Sequence, residues 1–127
     1  MDIQEAFVTL NRRFAETVNS HDTPQWVALF AEDAILIPAD HEVVTGKKGI
    51  EEWAEVASKV WNHLEIQPGF CTSDGSVAWE SGTWAGNINV AEGRTMDITG
   101  NFLLLARIEG SALRIKAHTW NVKTATH

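Results

Sequence analysis

Hydrophobic positions recur with a helical period through the first half of the chain and with a strand period through the second. Between residues 3 and 19, Phe7, Leu10, Phe14 and Val18 stand three or four positions apart, while Arg12, Arg13 and Glu16 fall off that stripe. The spacing predicts an amphipathic helix with one buried face. A second, short helix follows, capped by Asp22 or Thr23 and carrying Pro24 where no amide hydrogen is needed. Trp26, Leu29 and Phe30 share its face at i, i+3 and i+4. Ala31-Glu32-Asp33-Ala34 is expected to close it, and Ile35-Leu36-Ile37 to begin a buried strand.

Residues 39 to 45 read as a polar turn, with a short strand at Val43-Val44. Gly46-Lys47-Lys48-Gly49 then breaks the chain before a third helix. Ile50, Trp53, Ala54, Ala57, Val60 and Trp61 form its apolar stripe, and Glu51, Glu52 and Glu55 suit its N-terminal dipole. Beyond Trp61 the texture changes. Leu64-Glu65-Ile66-Gln67 alternates until Pro68-Gly69 interrupts. Turn signals at 73–76, 89–93 and 109–111 separate long strands at Val77–Ile88, Thr95–Ile108 and Leu113–Lys123, with Gly82 and Gly86 as bulge or bend sites. Helices first and an antiparallel meander afterwards is an α+β pattern. Three helices against one curved sheet leave a natural cavity at its open end.

Composition narrows the partners. One domain of 127 residues with a net charge of −7 lacks the positive field that nucleic acid or an anionic membrane demands. The single cysteine, Cys71, cannot close an internal disulfide, and no segment has the order of a signal peptide or the length of a membrane span. A cytoplasmic location is the expectation. Six tryptophans and no tyrosine are the unusual feature, and indoles favour sites where one edge meets a polar partner.

Several segments together resemble a known family. Asn19-x-x-Asp22 before a short helix, Phe30-Ala-Glu-Asp-Ala-x-x-x-Pro38, and Val44-x-Gly46-x-x-x-Ile50-x-x-Trp53 are similar to the SnoaL-like, ketosteroid-isomerase-like branch of the nuclear transport factor 2 superfamily. Asp74-Gly75-x-Val77-Ala78, Gly100 ahead of Phe102-Leu103-Leu104-Leu105, and His118-x-Trp120-Asn121 extend the resemblance over nearly the whole chain. It implies a cystatin-like fold: a cone-shaped curved antiparallel sheet packed with three N-terminal helices. It also implies a single domain over 1–127, an apolar pocket between helices and sheet, and a homodimer formed through the outer sheet face. Members carry many chemistries, so the fold does not name a reaction. At the positions matching the steroid isomerases' tyrosine donor, carboxylate base and second oxyanion donor, this chain has Phe14, Pro38 and Gly100. Steroid isomerase activity is therefore not expected. The resemblance places Phe14, Trp26, Phe30, Trp53, Trp79, Phe102 and Trp120 in the pocket wall.

Two polar residues are candidates for chemistry. The resemblance puts His118 on the last strand beside Trp120, where a neutral imidazole could exchange a proton near neutral pH. Strand alternation leaves its face open, because Leu113, Ile115 and Ala117 on the other parity are equally apolar. A histidine bonded across the sheet, or one in a dimer interface, is the plainer reading. Asp40, two residues past Pro38, is a candidate displaced base if its loop folds inward. At positions 79 and 80 only one side chain can face the pocket, and Trp79 is favoured over Glu80. No cofactor is expected: a nucleophile elbow and a dinucleotide fingerprint are both absent. His41-Glu42 and His63-x-Glu65 lack the spacing of a zinc helix, so no metal is expected. Three functions remain: binding a small apolar or aromatic molecule, an isomerase, lyase or cyclase reaction through His118, or assembly as a dimeric accessory domain.

Overall fold

The computed structural model describes residues 1–123, so the last four residues of the expected single domain lie outside it. Helix α1 (Ile3–Asn19) starts where the Asp2 carboxylate accepts the Glu5 amide, satisfying one of the free donors of the first turn. It buries Phe7, Leu10, Phe14 and Val18, each contributing on the order of 1.5–3 kcal/mol through burial. Helix α2 (Thr23–Val27) is capped by Asp22, which accepts the Gln25 amide at 3.2 Å. Strand β1 (Phe30–Ile37), the two-residue β2 (Val44–Thr45) and helix α3 (Gly46–Val60) follow. The chain then runs through β3 (Trp61–Asp74), β4 (Val77–Ala91), β5 (Arg94–Glu109) and β6 (Ala112–Trp120). These strands form one six-stranded sheet in the order β2-β1-β6-β5-β4-β3, with only the β1–β6 pair parallel. The helices cover one face of it. No described helix is long and apolar enough to cross a membrane.

The structure differs from the sequence pattern at several joints. Helix α2 ends at Val27, so Phe30 belongs to β1 rather than to a helical face shared with Trp26. The reason is β6: the Ile115 amide takes the Leu29 carbonyl at 2.9 Å, and Arg114 takes that of Ala28 at 2.6 Å. Ala31-Glu32-Asp33-Ala34 is accordingly the irregular first half of β1, where its register with β6 shifts. The short second strand falls at Val44–Thr45 instead of Val43-Val44. Gly46, at φ 78°, opens α3, and the expected breaker is its first turn. Trp61 leaves the helix and begins β3. Pro68 does not interrupt β3, because this is an edge strand whose free side needs no amide hydrogen. The bulge there falls on β3 at Gly69, and Gly82 and Gly86 of β4 keep regular pairing with β5.

Register sorts the side chains into rows. Cys71, Glu80, Leu104, His118 and Leu36 lie side by side across β3, β4, β5, β6 and β1. In the next row toward one end, Gly82, Phe102 and Trp120 are neighbours. These rows face the helices. On the outer face, Thr72, Trp79, Leu105, Ala117 and Ile35 form one row, and Phe70, Ser81, Leu103, Thr119 and Ile37 another. A bulge at Lys116 resets the parity of β6: Ala106 pairs with Ile115 while Leu105 pairs with Ala117. Ile115 and His118 thereby share the inner face, which simple alternation would forbid. Lys116 itself reaches the Asp33 carboxylate in the irregular half of β1, so the two irregularities meet.

Candidate functional site

Between the helices and the inner face lies an aromatic cavity of about 50 Å³. Helix α1 supplies Asn11, Phe14 and Val18 to its wall, α2 supplies Trp26, and α3 supplies Trp53. From the sheet come Trp61, Leu64 and Ile66 of β3, Trp84 of β4, Phe102 and Leu104 of β5, and His118 and Trp120 of β6. Their rings meet mostly edge to face, the arrangement the ring quadrupoles favour. His118 lies 5.1 Å from Phe14 at 87° and 5.1 Å from Trp120 at 51°. Trp53 sits 5.6 Å from both Trp26 and Trp120, closing one side.

Two nitrogen atoms in this wall stand out. Trp26 Nε1 and His118 Nδ1 are both buried, and neither has a hydrogen-bond partner among the described residues. Each such atom costs about 1–3 kcal/mol when desolvated and left unpaired. Burial among rings holds the His118 pKa at about 3, far below its ordinary value, so the imidazole is neutral at physiological pH. As a neutral ring it offers one donor and one acceptor.

A second polar element lies alongside. Glu80 is 1% exposed on the inner face of β4, and its Oε1 accepts a 2.8 Å hydrogen bond from Asn11 Nδ2. Burial raises the Glu80 pKa, and the Asn11 bond offsets part of that rise. Cys71, paired with Glu80 across the β3–β4 ladder, has its thiol pKa raised by burial first and by the Glu80 charge second.

Of the residues singled out from sequence, Phe14, Trp26, Trp53, Phe102, His118 and Trp120 come together around the cavity. Phe30 does not reach it. It is 1% exposed in the core behind Phe14, with ring centroids 6.5 Å apart. Trp79 does not reach it either: it stands in an outer row between Thr72 and Leu105, and Glu80 takes the inward position. Asp40 stays outside, exposed, in a left-handed turn at φ 54°. Its loop borders a shallow hollow shared with Pro38, Thr119 and the outer side of Trp120. Among the described residues no three of His, Cys, Asp and Glu cluster as metal ligands would.

The positions matched to the steroid isomerases have physical reasons to be inert. Phe14 and Pro38 are buried and carry no titratable group. At Gly100 an added Cβ would overlap the Asn121 carbonyl and stand 2.7 Å from the Trp84 ring, so no acid fits there.

The sequence reading passes over Asn11 and sets Glu80 aside in favour of Trp79. Asn11 completes the helical stripe of Phe7, Leu10, Phe14 and Val18, and an amide on a buried stripe is the available signal. For Glu80 the signal is its parity with Ala78, Gly82, Trp84 and Gly86, whose small members leave room for rings. An added Cβ at Gly82 would stand 2.7 Å from the Phe102 ring.

The SnoaL-like domain model matches residues 11–113. Among solved structures the chain is similar to a ketosteroid isomerase-like protein from Erwinia carotovora atroseptica, at 14% identity and a TM-score of 0.84 over 95% of this chain and 96% of that one. It is similar to a nuclear transport factor 2-like protein with a cystatin-like fold from Novosphingobium aromaticivorans, at 15% identity and a TM-score of 0.79, covering 97% and 83%. It is also similar to an uncharacterized protein with a cystatin-like fold from Caulobacter vibrioides, at 15% identity and a TM-score of 0.81, covering 95% and 89%. At such identities these likenesses concern the fold. No curated protein matches the chain. From the extent of the domain match, the chain belongs to the SnoaL-like domain family.

Proposed function

We propose that this chain binds a small, neutral, apolar molecule in the aromatic cavity, with Trp26 and His118 as polar contacts. One observation carries the reading: Trp26 Nε1 and His118 Nδ1 are buried in an otherwise apolar wall without partners. A core selected for stability alone gains nothing from two unsatisfied nitrogens. A ligand oxygen against the indole N–H, or a polar group against the imidazole, would restore the missing bonds. The same site discriminates against anionic ligands, because no lysine or arginine is among the residues that line it.

Proton transfer is the weaker reading. A general acid or base works best with a pKa near the working pH, and about 3 is far from it. The cavity is also tight. At about 50 Å³ it is well below the roughly 150 Å³ of an apolar cavity that admits benzene, so a ring-sized ligand must displace side chains. Trp53 and Trp120 are half-buried, unlike Trp26 and Trp84. Trp120 also borders the outer hollow, and turning it outward would widen the cavity toward solvent. Both exposed outer rows contain apolar side chains, Leu103 at 50% and Phe70 at 64% exposure among them. These support a homodimer through that face, and the free Cys71 accords with a cytoplasmic setting.

The test is a titration of ¹⁵N-labelled protein with phenol, following the six indole N–H resonances. Trp26→Phe identifies the Trp26 signal. The expected result is a large shift at Trp26, smaller shifts at Trp53 and Trp120, and none at Trp79 on the outer face. Equal small shifts at all six indoles, or none, would refute binding in the cavity.

A further inference from the structure

We infer that Asn11, held in place by Glu80, gives the cavity a hydrogen-bond acceptor, and that the ligand class is a neutral apolar molecule bearing a hydroxyl. This rests on the binding role proposed above and makes it chemically narrower.

An amide has two unlike ends, and a buried asparagine can turn either toward its surroundings. Here one end is committed. The 2.8 Å bond runs from Asn11 Nδ2 to Glu80 Oε1, so the amide nitrogen is the end turned to the strand. The carbonyl Oδ1 then points elsewhere, and it accepts no hydrogen bond from a described residue. Asn11 is 6% exposed and lines the cavity wall. An amide oxygen on an apolar wall favours a ligand that can donate to it, and penalises one that brings only lone pairs.

The arrangement is expensive for a structural pair. Glu80 is 1% exposed on an inner strand, where a leucine would pack without desolvating a carboxyl group. Its single side-chain bond goes to Asn11, the one polar residue that α1 supplies to the cavity wall. Glu80 is therefore a positioning residue and Asn11 the contacting one. With Trp26 Nε1–H as donor and Asn11 Oδ1 as acceptor, the wall matches a group that can both accept and donate, and a hydroxyl is the smallest such group. A ketone or ether meets only the indole, and a carboxylate meets no cation.

The experiment is isothermal titration calorimetry of the intact protein with phenol and toluene, which have similar size and differ in the donor. The quantity read is the ratio of their affinities, since loosened packing weakens both alike. Asn11→Leu is expected to lower the phenol-to-toluene ratio roughly threefold to tenfold, the worth of one neutral hydrogen bond. Glu80→Gln keeps a pair at this place but offers the Asn11 amide both orientations. It is expected to lower the ratio about twofold, as when half the molecules present the wrong end. If Asn11→Leu does not fold, Glu80→Gln carries the test. An unchanged ratio in the folded variants, with both probes still binding, overturns the acceptor role and leaves cavity binding standing. Failure of both probes to bind the wild type removes the binding reading and this inference with it.

Discussion

His118 offers the sharpest test of the site, through the pH dependence of stability. In the unfolded chain its imidazole protonates around its ordinary value of 6.5; in the folded protein it resists protonation down to about 3. As pH falls below 6.5 the unfolded state therefore gains a proton that the folded state refuses, and stability drops. Each pH unit in that window is worth about 1.4 kcal/mol, so between pH 7 and pH 5 His118 alone should remove about 2 kcal/mol. At pH 3 the loss should reach about 4 kcal/mol. Glu80 acts with the opposite sign: its raised pKa adds stability at low pH that is lost as pH rises through its folded value. The clean quantity is the difference between the wild type and His118→Gln, in which Glu80 and the other histidines cancel. Urea unfolding followed by far-ultraviolet circular dichroism at pH 7, 6 and 5 measures it. The wild type should lose about 2 kcal/mol relative to the variant over that range, whatever their offset at pH 7. A flat difference would mean that the folded imidazole protonates as easily as the unfolded one. His118 would then be hydrated or paired, and the account of a neutral, unsatisfied ring would be wrong.

Two further outcomes follow from the sheet. Gly100→Ala should destabilise by about 2 kcal/mol or more, because the added methyl group meets the Trp84 ring and the Asn121 carbonyl, neither free to retreat. A urea midpoint near that of the wild type would show that this end of the sheet is looser than described. If the outer rows form a homodimer, the wild type sediments as a dimer and Leu103→Glu as a folded monomer. A monomeric wild type would dispose of that interface.

The sequence made the architecture legible wherever a pattern is local. The α1 stripe, the Asp22 cap with Pro24, and the change from helical to strand period all depend on neighbours three or four residues apart. Errors arose where a distant partner decides. The end of α2 is set by Arg114 and Ile115 on the last strand, far along the chain. The face of Ile115 is set by a bulge at Lys116 that hydrophobicity does not mark. The choice between Trp79 and Glu80 failed for a related reason. Hydropathy sends the indole inward, but Gly82 and Gly86 on Glu80's parity are spaces for the Phe102 and Trp61 rings, and only the fold reveals them. The wall of the site was thus largely readable from its aromatics, while its polar end was not.

That polar end bears on why the fold tolerates such a core. Three buried polar residues, Asn11, Glu80 and His118, stand on the inner face or its covering helix, and apolar side chains would pack there at less expense. They are not scattered. Glu80 and His118 occupy one row of the sheet, separated only by Leu104, and Asn11 reaches that row from α1. A structural network would be expected to satisfy its members mutually. Here only the Asn11–Glu80 bond is made, while His118 Nδ1 and the neighbouring Trp26 Nε1 are left open. Departures from a consistent core tend to gather where a protein does its work. Their concentration on one cavity, in a chain where Phe14, Pro38 and Gly100 offer no acid, supports the proposed recognition through hydrogen bonds over the alternative of proton transfer.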